Sequence, residues 1–419
     1  MEPSEYRPRL ADTELKQRLE SAGAVVVEGP KACGKTETAR QIAASEVLLD
    51  TDVPSREAAA LNPSLVLPGD VPRLIDEWQV EPQVWNHIRR AVDDRRKPGQ
   101  FILAGSAVPA DDETRHSGAG RFSRLRMRPM SSFEAAVSDG AISLGTLLAG
   151  ESASATDAGL TIEAFAEETC RGGWPALRDT SLSAAMRGVA DYLDDVCRTD
   201  VEAVDGVRRD PERVRRLLRS LARNVATSAS GATLSRDTAG SGPPLDQHTV
   251  SGYLRALGRI FVVEDQPAWE PHLRSRAVLR RAPKRHFVDP SLAVAALEAD
   301  PPALLRDLNF FGLLFESLVI RDLRIYAQHS GRRVKHYRDE LGLEVDAIVE
   351  GRGAWGAFEV KLGGKQAIDT AAATLIKFAR KIDTDKVGEP ATLAVIVATG
   401  YGYLRKDGVQ VIPIGSLGP

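Results

Sequence analysis

The stretch AVVVEGPKACGKT, Ala24 to Thr36, decides how the rest of the chain is read. Ala24–Glu28, with three β-branched residues, is expected to form a short buried strand that runs straight into a glycine-containing turn. GPKACGKT, Gly29 to Thr36, satisfies the pattern G-x-x-x-x-G-K-[ST], and a helix is expected to begin near Lys35. The pattern answers a physical demand: successive backbone N–H groups wrap a β-phosphate, a lysine reaches the β and γ oxygens, and a hydroxyl ligates Mg²⁺. ATP and Mg²⁺ are therefore the expected ligands. The expected contacts are Gly29, Pro30, Lys31, Ala32, Cys33, Gly34, Lys35, Thr36 and Glu37. Cys33 reads as a small filler of the loop, with oxidative block of nucleotide as the alternative.

Outward from this loop, apolar runs at 46–50, 73–76, 100–104 and 124–128 alternate with helical stretches such as 11–20 and 82–96. That alternation predicts an α/β fold, a P-loop core with a mostly parallel sheet covered by helices on both faces. In RLIDEWQ, Asp76 ends a strand and is positioned to hold Mg²⁺ through water, and Glu77 to orient and activate the attacking water. An Asp-Glu pair is otherwise a solvated loop; the apolar run before it favours the functional reading. FILAGSA ends in Ser106, a polar group suited to sensing the γ-phosphate from an inserted strand. Arg121, in GAGRFSRLRMRPMSSFE, is the candidate to neutralise transition-state charge, in cis or from a neighbouring subunit, although nearby arginines could serve equally.

With 419 residues, two to four domains are expected. A 43% apolar and 27% charged composition excludes a disordered or fibrous chain. No apolar run has membrane-spanning length and MEPSEYRPRL lacks a signal-peptide plan, so a soluble cytoplasmic protein with no membrane partner is expected. Cys33, Cys170 and Cys197 are too scattered for a disulfide framework or a zinc site. The net charge of −3 does not announce a nucleic-acid binder, but arginines concentrate at 208–219 and 273–286, either as a basic face or as a solvated helix surface.

The polar stretch 150–160 reads as a linker closing a first domain, 1–150, before a helical lid at 151–205 and a winged-helix-like segment at 206–300. Helices are expected at 211–224 and 245–257, the second capped by Asp246 or Thr249, with 228–245 a flexible interruption and RIFVVEDQPAW a wing-like strand. Gln247, His248, Ser251 and Arg255 would face outward, toward a DNA groove or toward a protein. From Leu308 a long helix leads into strands at 332–338, 343–349, 355–361, 392–398 and 410–414, a C-terminal α/β domain over 301–419. It carries Glu316, Asp346, Glu359 and Lys361. Glu359 and Lys361 share a strand face, so both can meet Asp346, and the set is a candidate second Mg²⁺ site of nuclease type. The alternative is the common E-x-K of a soluble sheet edge. His286, beside a basic run, is read as structural or as a phosphate contact.

Taken together, GPKACGKT, LIDEWQVEPQVWNHIRRAVDD with FILAGSA, GAGRFSRLRMRPMSSFE, RGGWPAL and FVDPSLAVAAL with FESLV resemble a widespread bacterial and archaeal family of predicted AAA-like ATPases with a C-terminal domain of unknown function. The resemblance spans nearly the whole chain. It implies an ATPase core, a winged-helix segment and a C-terminal fold like that of restriction nucleases. Segment 228–245 departs from it, being longer and richer in glycine than a compact helix-turn-helix.

Overall fold

Side chains alternate across the first strand, β1 (Ala24–Glu28), so that Val26 packs on one face of a sheet and Val25 and Val27 on the other. The computed structural model describes residues 6–106, 118–204, 206–239, 243–271 and 282–419. Most of the arginine-rich run 273–286 lies outside them. With β2 (Ser45–Leu48), β3 (Arg73–Asp76), β4 (Phe101–Gly105) and β5 (Phe122–Arg126), β1 forms an all-parallel sheet in the order β2-β3-β4-β1-β5. Both faces are covered: Trp78, Trp85 and Ile88 meet Val26, Ile75 and Leu103, while Leu15, Leu19 and Ala39 meet Val25, Val27, Leu74 and Ile102. The central strands β1, β3 and β4, buried on both faces, read as nearly continuous apolar runs, which makes them visible in the sequence.

The chain divides into two compact units. The first combines Met1–Pro129 with Arg198–Arg209 and Leu254–Val262; the second holds Met130–Cys197, Asp210–Tyr253 and Val263–Pro419. In the first, Lys31 Nζ pairs with Asp200 at 2.6 Å, and the Arg126 guanidinium stacks 3.8 Å over the Phe261 ring.

The second unit begins earlier than the expected boundary at 150, because residues 130–150 are built into it. There β6 (Ile142–Ser143) pairs in parallel with the last strand, Leu417–Gly418. Ser138 Oγ donates to the Leu417 carbonyl at 2.8 Å, and Ile142, Leu144 and Leu147 are buried. Helices follow at Ile162–Arg171, Leu182–Asp195 and Pro211–Arg223. The supposedly flexible 228–245 contains a helix, Gly231–Asp237, whose Ser230 hydroxyl accepts from the Thr233 amide at 3.1 Å. Ser230 caps it despite the weak helical propensity of Gly231 and Thr233. A further helix, Gln247–Arg259, is capped by Asp246, which accepts from the Thr249 amide at 2.9 Å. The hairpin β7 (Val263–Gln266) and β8 (Lys284–Phe287) comes next, with Thr227 bridged to Arg285.

The helix Leu308–His329, buried almost all round from Phe311 to Ala327, lies against a mixed sheet. Its strands are β9 (Arg333–Arg338), β10 (Glu344–Gly351), β11 (Ala354–Lys361), β12 (Thr392–Val397), β13 (Tyr403–Leu404) and β14 (Gln410–Pro413), in the order β13-β14-β12-β11-β10-β9. The closing strand β15 is Leu417–Gly418. β9, β10 and β11 are antiparallel, whereas β12 runs parallel to β11 and to β14. The helix Lys365–Lys381 packs Ala371, Leu375 and Phe378 on this sheet, where Trp269, Tyr337 and Trp355 complete an aromatic core. Trp269 thus draws the segment after β7 into the C-terminal core.

Candidate nucleotide site and C-terminal ion cluster

Insertion of β4 between β1 and β3 brings the carboxyl ends of three strands side by side, with Glu28 level with Gly105 and Asp76 level with Ala104. The loop leaving β1 turns through left-handed conformations at Ala32 (φ 58°) and Gly34 (φ 98°) before the helix Lys35–Arg40. Gly29 is obligatory, since a Cβ there would stand 2.4 Å from the Met127 carbonyl oxygen. Cys33 is fully buried, as a filler should be. Lys35 is buried and its Nζ donates to the Pro30 carbonyl at 2.8 Å, so the ammonium lies over the loop. The side chains of Lys31 and Glu37 are engaged elsewhere, with Asp200 and Arg40.

Thr36 Oγ1 donates to the Asp76 carboxylate at 2.9 and 3.2 Å, so the two expected Mg²⁺ ligands meet. A hydroxyl and a carboxylate side by side at a P-loop are the hard oxygen donors that Mg²⁺ takes, and the set fits the ion. Burial, helped by the neighbouring Glu77 charge, pushes Asp76 up to about 6 against the opposing Thr36 hydrogen bond. Glu77 sits in the left-handed region at φ 48°. Its Oε2 accepts from the Gln79 amide nitrogen and from Ser106 Oγ at 3.4 Å.

Arg121 is not part of this group within the chain. Its carbonyl accepts from the amide of Ala24, the first residue of β1, at the opposite end of the strand from the loop, and its Nε pairs with Asp93 at 2.8 Å. Because β5 runs parallel to β1, Arg121, which precedes β5, lies at the end of the sheet away from the loop. Sequence reasoning also missed Arg9. This buried residue donates from Nη1 to the Cys33 carbonyl and from Nη2 to the Arg128 carbonyl, both at 2.8 Å, and so clamps the phosphate loop. Nothing in RPRL, with Arg7 and Arg9 flanking a proline, signals that role.

In the second unit Glu316, Asp346, Glu359 and Lys361 do converge. Lys361 Nζ lies 2.7 Å from Glu359 Oε2 and 3.4 Å from Asp346 Oδ2, which also accepts from the Val360 amide at 2.9 Å. A fifth residue alters their meaning. Lys284, from β8 and 3% exposed, places its ammonium 2.8 Å from Glu316, 2.7 Å from Glu344 and 3.2 Å from Asp346. Here the carboxylates are arranged around lysine nitrogens, and among the described residues no group of three or more Asp, Glu, His or Cys side chains has the spacing of a metal site. Burial, reinforced by the Asp346 charge, pushes Glu316 up to about 8, and Glu359 likewise to about 8, against the lysines beside them. Burial would also raise Asp346, but Lys284, Lys361 and the Val360 amide hold it below the usual carboxylate range. Burial opposes the Lys284 charge, yet its three carboxylates keep it firmly protonated.

The remaining motifs meet in a buried knot. Arg321 bridges Asp289 at 2.7 Å and Asp322 at 2.8 Å. Asp289 accepts from the Gly173 amide and Asp322 from the Ser132 amide, both at 3.0 Å. A Cβ on Gly173 would collide with Met130 O at 2.2 Å. RGGWPAL, FVDPSL and PMSSFE are thus held together by charge-assisted hydrogen bonds that satisfy one another's buried groups. His286 is a core histidine: Nδ1 lies 3.1 Å from Ser317 Oγ and Nε2 3.1 Å from Gln266 Oε1.

Three family models match parts of the chain: an AAA domain over residues 21–136, and two domains of unknown function, DUF8612 over 162–303 and DUF4143 over 311–417. Proteins of Mycobacterium tuberculosis and Mycobacterium bovis, both titled uncharacterized, are each 27% identical over 411 residues, covering 97% of this chain and 83% of their own length. A Walker-type ATPase of Pyrococcus abyssi aligns over 70% of this chain and 99% of its own at 14% identity, with a TM-score of 0.40. The region matched by the AAA-domain model carries the glycine-bracketed loop after β1 and the strand β4 inserted between β1 and β3. No described helix is long and apolar enough to cross a membrane.

Proposed function

We propose that the chain hydrolyses ATP with Mg²⁺ in its first unit, and that the nucleotide cycle moves a winged-helix segment and a nuclease-like C-terminal module that act on nucleic acid. The observation that carries the hydrolase reading is the meeting of Thr36 with Asp76, followed directly by Glu77 and flanked by Ser106 on the inserted strand. In this reading the loop amides from Gly29 to Thr36 and the Lys35 ammonium hold the phosphates, while Thr36 and Asp76 hold Mg²⁺. The bound ion supplies charge neutralisation on the phosphate oxygens. Glu77 orients the attacking water and accepts its proton, and Ser106 senses the γ-phosphate. The test is a pair of variants. Lys35→Ala is expected to abolish binding of a fluorescent ATP analogue, whereas Glu77→Gln should bind it normally and turn over ~100-fold more slowly, the usual scale for loss of a general base. Unchanged turnover in both would remove the reading.

The order of helices 211–223, 231–237 and 247–259 before the β7–β8 hairpin supports the winged-helix assignment, and Gln247, His248, Ser251 and Arg255 are exposed on the third helix. Glu316 on a helix, Asp346 in the second of three antiparallel strands and Glu-x-Lys in the third support the nuclease-like fold. One observation favours the second reading, a nucleotide-dependent switch or scaffold for a protein partner: the Lys284 ammonium stands among the carboxylates that cleavage would need for a metal. On that reading the module binds without cutting.

A further inference from the structure

The Asp-Glu pair ends in a tight turn, and the residue two places beyond it has a geometry the hydrolase reading does not use. Residues Trp78–Val80 form one 3-10 turn closed by the Val80 amide donating to the Glu77 carbonyl at 2.9 Å. The turn requires Glu77 at φ 48°, an uncommon conformation for a residue with a side chain, and such strain collects where a functional group must be aimed. It folds the Gln79 amide back onto the Glu77 carboxylate, to which Nε2 donates. The carboxylate fixes the orientation of that amide, since the reverse flip would set oxygen against oxygen. The other end, Oε1, is consequently turned toward the end of β4. It is buried there with no donor among the described residues. A Cβ on Gly105 would stand 2.5 Å from this oxygen and 2.9 Å from the Trp78 ring nitrogen, so the glycine before Ser106 is what leaves room for the amide. Glu77 is thus held from two sides, by Gln79 within its own turn and by Ser106 from the inserted strand.

We infer that Gln79 is a positioning residue for hydrolysis: its amide fixes the Glu77 carboxylate in the place from which it receives a proton from water, and Gly105 keeps the space the amide needs. The inference rests on the hydrolase reading and adds a residue to it. In the step concerned, the water oxygen bonds to the γ-phosphorus as the bond from that phosphorus to the bridging oxygen of ADP breaks. The water proton passes to the Glu77 carboxylate. Gln79 takes no proton and touches neither phosphate nor water; it acts through the orientation of Glu77. A residue of this kind governs turnover and not affinity, because the groups that grip the nucleotide lie on the β1 loop and on Asp76.

The test uses the full chain and measures Mg²⁺-ATP turnover alongside affinity for a fluorescent ATP analogue. Gln79→Met keeps the length and most of the volume of the side chain but has no amide. It is expected to lower kcat at least tenfold while KM and the analogue Kd stay within twofold. Introduced on top of Glu77→Gln, the same change should lower turnover by less than twofold, since it has no carboxylate left to position. Gly105→Ala, which displaces the amide with Gln79 intact, should copy the kcat loss, and thermal unfolding of each variant establishes that it is folded. A folded Gln79→Met with turnover within twofold of the parent overturns the inference. So does a tenfold loss that persists undiminished in the Glu77→Gln background, or a loss of affinity parallel to the loss of rate. The hydrolase reading fails by a separate readout, the absence of magnesium-dependent turnover in the unaltered protein.

Discussion

A lysine ammonium and a divalent ion compete for the same carboxylate oxygens, and in the second unit the lysine is covalently supplied. Lys284 reaches three carboxylates from β8, a strand whose sequence, KRHF, suggested only a basic run. An ion cluster of this kind is costly to break from one side, because removing a cation leaves buried anions facing one another. Lys284→Ala is therefore expected to destabilise the second unit by ~3–5 kcal/mol. The check is denaturant unfolding followed through Trp269 and Trp355, which lie in that core. Adding Mg²⁺ or Mn²⁺ should leave the stability of the unaltered second unit where it is. A clear metal-dependent rise there, surviving Asp76→Ala, would instead support a nuclease-type metal site.

Elements with strong period and strong caps were legible in the sequence; those whose identity depends on long-range packing were not. β1, β3 and the helix after Leu308 were read nearly to the residue, because apolar runs buried on both faces leave no ambiguity. Asp346, Glu359 and Lys361 were legible as a group because β10 and β11 place alternate side chains on one face, whereas Glu316 joins them from the helix Leu308–His329. Gly231–Asp237 was missed because glycine and threonine are poor helix formers, and its cap and the packing of Leu234 outweigh that preference. Lys284 and Arg9 were missed for another reason: each acts on groups more than twenty residues away, and no local pattern marks such a partner. The helix Gln247–Arg259 was foreseen with its exposed face, and its role can be separated by salt. Should it enter a DNA groove, Arg255→Ala will weaken binding to a short duplex and reduce the salt slope by about one, as loss of one phosphate contact does. Fluorescence anisotropy between 50 and 200 mM salt measures this, and a duplex that never binds favours the protein-partner reading.

The molecule as a whole does not divide where its linker-like stretch suggests. A fragment ending at residue 150 would carry the phosphate loop but lack Arg198–Arg209 and Leu254–Val262, which belong to the same unit, and would expose Ile142, Leu144 and Leu147, which belong to the other. Such a fragment is expected to aggregate or to show no thermal shift with Mg²⁺-ATP; a soluble, nucleotide-stabilised fragment would argue against this division. The pairing of β6 with β15 adds a consequence for synthesis on the ribosome. Everything the first unit is made of has been translated once Val262 emerges, whereas Ile142 waits for Leu417 before its edge is covered. The first unit can accordingly fold while residues after Val262 are still being translated, with the Ile142 segment held open until Leu417 arrives.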